Sequence, residues 1–189
     1  MRSRLSLVVL LCLPLFVPPA GAAIIERVLA VVDGRPLLLS EALVLQTVKG
    51  IDQSAAVEAL IDERLMFAEA SRMPQSAVSA EEEEKALESL TSAAEDRAQR
   101  VSPAELRGLA RRETAILKYV HFRFLPLVRI DEDAVRTAYD AEFGKEPGAP
   151  TFEEAAPQVR QRLVDKDLGQ RIESWVKELR AAASIRYNP

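Results

Sequence analysis

FEEAAPQVRQRLVDKDLGQRIESWVKELRAAASIRY, residues 152–187, carries most of the architectural information in this chain. Thr151 opens a helix. Beyond Pro157, the residues Val159, Leu163, Leu168, Ile172, Trp175, Val176 and Leu179 recur at helical spacing to about Ala183. They line one face for ~40 Å at about 1.5 Å per residue, and Gly169 is the one weak point. Ile185-Arg186-Tyr187 then reads as a short strand. A lone strand edge is unstable in water, so this strand needs a partner. The only other β-prone material is Ile24 to Val32 (IIERVLAVV) and Pro36 to Leu39 (PLLL), which flank Asp33-Gly34-Arg35 as a hairpin. Pairing them joins the two ends of the chain. This predicts a mostly α (α+β) fold, one domain over residues 23–189 with a small sheet made of the N-terminal hairpin and the C-terminal strand. Gly144 to Pro150 (GKEPGAP) is then a surface linker, not a domain boundary.

Working inward from both ends, Ser40 is expected to cap a first helix that Gly50 ends. Ser54 is expected to open a second, with Val57, Leu60, Ile61, Leu65 and Ala68 on its core face and Met73-Pro74 at its end. Ser79 and Glu82 form a capping-box pattern before a third helix with a narrow stripe, Leu87, Leu90 and Ala94, which predicts a solvated helix on the rim. Ser102-Pro103-Ala104-Glu105 is the strongest helix start in the chain. The fourth helix is expected to bury Leu106, Leu109, Ile116, Leu117 and Val120, and Asp131 or Asp133 to cap a fifth. Residues 79–100 carry seven acids against three bases, and residues 101–130 six bases against two acids. An antiparallel pair with complementary faces explains that division; an acidic recognition surface is the alternative.

Composition narrows the function. Of 189 residues, 48% are apolar and 29% charged, enough for a core and too polar for a membrane bundle. One His and one Cys leave no set of residues for a protein-only zinc site or for Cys/His or Ser/His catalysis. His121 reads as a boundary histidine with a hydrogen-bond partner, the alternative being an acid/base or pH-sensing role. Asp62 and Glu63 are adjacent and so point to different faces of their helix. The Glu81 to Glu84 run sits at an exposed helix start, with no apolar wall to raise a pKa. No P-loop pattern implies nucleotide, and no cofactor or metal is expected.

The N-terminus reads as an export signal. Arg2 and Arg4 precede the mostly apolar run Leu5 to Val17, Pro18-Pro19 break it, and Ala20-Gly21-Ala22 offers small residues for cleavage after Ala22. The alternative is an uncleaved anchor; a lipoprotein is disfavoured because Leu11, not a small residue, precedes Cys12. Residues 1–22 are thus expected to be a signal peptide that carries off Cys12 and leaves no thiol or disulfide in an oxidising periplasm. Loss of Arg2 and Arg4 makes the exported chain two charges more negative than the −4 of the whole. That is unsuited to nucleic acid or anionic lipid surfaces, and stable membrane insertion is not expected.

In this order the elements resemble the SurA-type periplasmic chaperones. ERVLAVVDGRPLLLSEAL (26–43) resembles their opening strand, turn, strand and first helix, and LIDERLMFAEA (60–70) their second helix. RIDEDAVRTAYDAEFG (129–144) looks like their short acidic-capped helix. Residues 152–187 are similar to their closing segment, with its Trp-x-x-x-Leu-Arg and Ala-x-Ile pattern at Trp175, Leu179, Arg180, Ala183 and Ile185. The resemblance covers nearly all of residues 24–188. Most relatives carry one or more parvulin-type prolyl isomerase domains between the acidic-capped and closing helices. Here that gap is the linker, Gly144 to Pro150, far short of the ~50 residues an independent domain needs.

The resemblance implies an ATP-independent periplasmic chaperone for unfolded or extended polypeptides, with outer-membrane β-barrel precursors as possible clients. The alternatives are a prolyl isomerase-related protein and a non-catalytic adapter for one partner; the oligomeric state stays open. Client contact requires exposed, adaptable apolar surface. The candidates are the apolar residues that do not fit a core stripe: Met66, Phe67 and Met73 at the end of the second helix, Phe122, Phe124, Leu125 and Leu127 around Pro126, and Phe143 beside the linker.

Overall fold

The computed structural model describes residues 26–144 and 148–188. The expected signal peptide lies outside the described residues, as do Lys145 to Pro147 of the linker. Strands β1 (Val28–Val32) and β2 (Arg35–Leu38) form an antiparallel hairpin, and β3 (Ile185–Tyr187) pairs antiparallel with β1 on its other side. Asp33 and Gly34 both adopt positive φ, 48° and 78°, the conformation that two-residue hairpin turns require. Asp33 also clasps the far end of the chain. Its N–H donates to the Ser184 carbonyl at 2.9 Å, and its carboxylate accepts from the Ser184 N–H at 2.8 Å. The two ends of the described chain therefore meet in one sheet, and the fold is mostly α with this small sheet.

Six α-helices fill the interval among the described residues: α1 (Leu39–Lys49), α2 (Gln53–Ala70), α3 (Ala80–Ala94), α4 (Pro103–Arg123), α5 (Glu132–Phe143) and α6 (Phe152–Ala182). Ser79, Ser102, Asp131 and Thr151 cap as their side chains dictate, each accepting from the backbone N–H three residues on. Two expected caps are displaced. Helix α1 follows β2 with no intervening loop, so Ser40 lies inside its first turn and Glu41 reaches back to the Leu38 N–H at 2.9 Å. Helix α2 is capped by Asp52, which accepts from Ala55 N–H at 2.8 Å, and not by Ser54.

Buried side chains fall into three groups. The largest packs the sheet against α1, α2, α3 and the first half of α4, around Leu37, Leu45, Ile61 and Leu109. The second joins the C-terminal ends of α2 and α4 to α6 through Ala70, Tyr119, Val120, Phe124 and Trp175. The third, Val135, Ala155 and Val159, belongs to α5 and the N-terminal half of α6 alone. These two segments form a helical arm on a body made of everything else.

Helices α3 and α4 carry the expected complementary charges. Arg107 donates to Glu84 at 2.9 Å and to Glu83 at 3.3 Å, and Lys118 to Glu82 at 2.7 Å. Only Ala94 of α3 is buried, so it lies on the rim. Leu117 departs from expectation: it is 52% exposed, because α4 turns its neighbours Ile116 and Val120 toward α2 and α6. His121, expected at a boundary, is exposed on the outer side of α4.

Candidate functional site

The C-terminal turn of α4 ends at Arg123, and Pro126 forces the next residues into a 3-10 turn, Leu125–Leu127. A helix that continued would have divided these apolar residues between faces. The turn instead leaves Phe122, Leu125 and Leu127 together at the surface, with Phe122 50% and Leu127 53% exposed. Phe124 goes the other way. Expected at the surface, it is only 8% exposed and packs under Trp175, with ring centroids 5.4 Å apart. The reversal of the chain at Pro126 carries it beneath α6.

Trp175 also stacks on Tyr119, with centroids 5.1 Å apart and ring planes 27° from parallel. Arg123 lies over all three rings, 5.1 Å from the centroid of Phe124, 5.7 Å from Tyr119 and 5.8 Å from Trp175, and donates to the Tyr119 hydroxyl at 2.5 Å. Its cation faces three ring quadrupoles at once, an attraction that offsets the entropy lost in ordering a flexible side chain. Beside this bed runs an open groove of about 410 Å³, with Phe124, Leu127 and Trp175 as its apolar lining and Arg123, Arg171 and Glu178 at its edges. Asp167 holds Arg171 from one turn earlier on α6 at 2.6 Å. The groove therefore has an aromatic floor and an apolar lip at Leu127, bordered by charges of both signs.

The other candidates divide. Phe67 and Met73 line a separate cavity of about 340 Å³ between the end of α2, the 3-10 turn Pro74–Ser76 and α4. Met66, expected to face away from the core stripe, packs half-buried on the second cluster, because α2 serves two cores on two faces. Phe143 is half-buried against Tyr139 at 5.5 Å within the arm, so it is part of that small core and not of a shared surface. Sequence reasoning missed the contribution of Arg123 and Arg171, although the aromatic-Arg-aromatic run at 122–124 was a signal for the first. It also missed an apolar groove of about 520 Å³ between α3 and α4, where Leu90 and Leu117 stand among Ala86, Ala93 and Ala110.

The titratable groups make structural pairs. Glu63 is buried, and burial pushes its carboxyl above the ordinary value of 4.5 despite the opposing Arg112 guanidinium on α4, to which it is hydrogen-bonded. Its neighbour Asp62 points elsewhere and binds Arg180 of α6. Arg180 also reaches Glu58 at 2.9 Å, and these hydrogen bonds raise its already high pKa further. Glu82 is held below the usual carboxylate range by Lys118 and by the Ser79 backbone N–H. Among the described residues, no group of three or more His, Cys, Asp or Glu is placed to hold a metal ion. No helix among them is long and apolar enough to cross a membrane.

No family model matches the chain, and no curated protein does. The functional reading consequently rests on the sequence resemblance together with the geometry above.

Proposed function

We propose that this protein is an exported, ATP-independent chaperone of the SurA type, which shields unfolded or extended polypeptide in the periplasm. The single observation that carries the reading is the apolar surface at the end of α4: Phe122, Leu125 and Leu127 stand exposed, and Leu127 borders the groove lined by Phe124 and Trp175. Exposed apolar side chains on a rigid base offer a client contact area without the entropic cost of ordering the base on binding. Both signs of charge at the rim limit self-association and tolerate varied client sequences.

The arm supports the resemblance in a second way. Helices α5 and α6 are joined by the linker, and Tyr139 donates its hydroxyl to the Pro150 carbonyl at 2.7 Å, closing the base of that loop. Phe152 and Trp175 lie ~35 Å apart along α6 at about 1.5 Å per residue. A domain inserted at the linker, as relatives carry, would stand at the arm's tip without touching the aromatic floor. Its loss would leave the client surface intact and remove the isomerase.

The test is aggregation of a urea-denatured outer-membrane β-barrel protein on dilution, followed by light scattering with and without residues 23–189. Suppression at a few-fold excess is expected, with no acceleration of proline-limited refolding of a model substrate. No suppression would overturn the chaperone reading in favour of an adapter, and accelerated refolding would restore the isomerase.

A further inference from the structure

Resting on the client-binding reading, we infer that the outer edge of β3 is a second client contact: an extended polypeptide pairs there as an added antiparallel strand, with an acidic residue opposite Arg186.

The sheet has the order β2-β1-β3, so β2 and β3 are both edges, and they are finished differently. The Asp33 N–H donates to the Ser184 carbonyl at 2.9 Å, and the Asn188 N–H to the Leu29 carbonyl at 2.8 Å. Leu29, Val31 and Asp33 therefore turn their main-chain groups toward β3, and Pro36 of β2, opposite Val31, turns its own outward. Proline has no N–H to offer there. The N–H of Leu38, at the end of β2, is taken by the Glu41 carboxylate at 2.9 Å. That edge is closed to a further strand.

On β3, Ser184, Arg186 and Asn188 turn toward β1, so Ile185 and Tyr187 turn outward. Neither the N–H nor the C=O of these two residues has a partner among the described residues. The edge is also reachable: Ser184, Arg186, Tyr187 and Asn188 are exposed. Two donors and two acceptors on alternate residues of an extended chain are what an added strand pairs with.

The side chains say which strand fits. Ile185 packs on the main core, and the Tyr187 hydroxyl donates to Glu58 at 3.2 Å, so both lie on the face toward α2. Arg186 stands on the opposite face, exposed and, unlike Arg180, in no ion pair among the described residues. An antiparallel strand sets apolar residues beside Ile185 and Tyr187 and a polar one beside Arg186, the alternation of a membrane β-barrel strand. A second copy of this chain fits worse. The register in which both copies use Ile185 and Tyr187 puts Arg186 directly opposite its counterpart, and like charges so placed repel. A client with Asp or Glu there replaces that repulsion with attraction. Contacts at both the strand edge and the end of α4 let a flexible client bind at two places, raising retention without a tight contact at either.

The experiment uses residues 23–189 and a short fluorescein-labelled peptide of alternating apolar and polar residues with Glu at its centre, read by anisotropy. Methylating the main-chain nitrogens of its apolar residues is expected to abolish binding, because those N–H groups face β3 in the antiparallel pair. Methylating those of its polar residues should leave affinity within about twofold. The wild type should prefer the Glu-centred peptide to a Lys-centred one by about two- to fivefold, and Arg186→Glu should reverse that preference. Equal binding of the two methylated peptides would overturn the added strand, as would a preference that Arg186→Glu does not move. A dimer in sedimentation that the peptide dissociates would give the edge to a second copy and overturn it too. All three outcomes leave the chaperone reading standing, since suppression of aggregation decides that independently.

Discussion

The two halves of α6 belong to one unbroken helix and live in different energetic regimes. The C-terminal half is built into the body: Trp175 is buried between Tyr119 and Phe124, and Arg180 ties α6 to Asp62 and Glu58 of α2. The N-terminal half packs on α5 alone, over three buried residues, with Arg160 to Glu132 and Arg162 to Glu142 as half-exposed ion pairs. Such pairs contribute little, typically ~0.2–1 kcal/mol each. The difference teaches that the candidate client surface at the end of α4 borders the stable half, while the arm, with few buried contacts, is the element free to open locally.

Removing Trp175 attacks the stable half directly. Trp175→Ala is expected to cost about 3–5 kcal/mol, read by urea denaturation, because it empties the second cluster and releases Arg123. A loss under about 1 kcal/mol would mean that the aromatic floor is not what joins α6 to the body. In the arm, Val159→Ala is expected to cost about 2 kcal/mol locally. Hydrogen exchange should then quicken over residues 132–165 while the body's amides keep their protection; uniform quickening would erase the distinction between the halves.

Gly169 lies between the two regimes, and a Cβ built there meets nothing within 4 Å. Gly169→Ala is therefore expected to stabilise α6 by about 0.5–1 kcal/mol and to slow exchange in the arm. A destabilised variant would show that the glycine is needed for close packing. Glu63 gives the smallest and most specific test. Burial raises its pKa, so at low pH both folded and unfolded states hold the proton and no penalty exists. As pH rises past 4.5 the unfolded state releases that proton first, and the folded state loses relative stability. Glu63→Gln should accordingly gain on the wild type in urea unfolding between pH 4 and pH 7. The opposite trend would mean that the Arg112 pair outweighs burial.

Local signals in this chain were legible where one residue had one available role. Ser79, Ser102 and Thr151 each stand three residues before a glutamate and cap as that spacing demands, and the Asp-Gly turn and closing strand identified the sheet. The spacing failed where two candidates competed within two residues, as with Asp52 against Ser54. It also failed where packing chose the face. Leu117 sits at a position that a single stripe would bury, but α4 is shared among α2, α3 and α6, and Leu117 falls outside all three contacts with the core. Phe124 and Met66 carry no local signal of burial, because nothing near them in sequence says that Trp175, some fifty residues on from Phe124, covers that side. The pairs Glu63–Arg112 and Asp62–Arg180 are long-range in the same sense, although the divergence of the two neighbouring acids follows from helical geometry alone.

The claim that clients bind at the end of α4 is tested most directly by Phe122→Ser, Leu125→Ser and Leu127→Ser combined. All three residues are exposed, so the melting temperature should stay near that of the wild type. Suppression of β-barrel protein aggregation should fall to the level seen without chaperone. Undiminished suppression by a folded triple variant would contradict it.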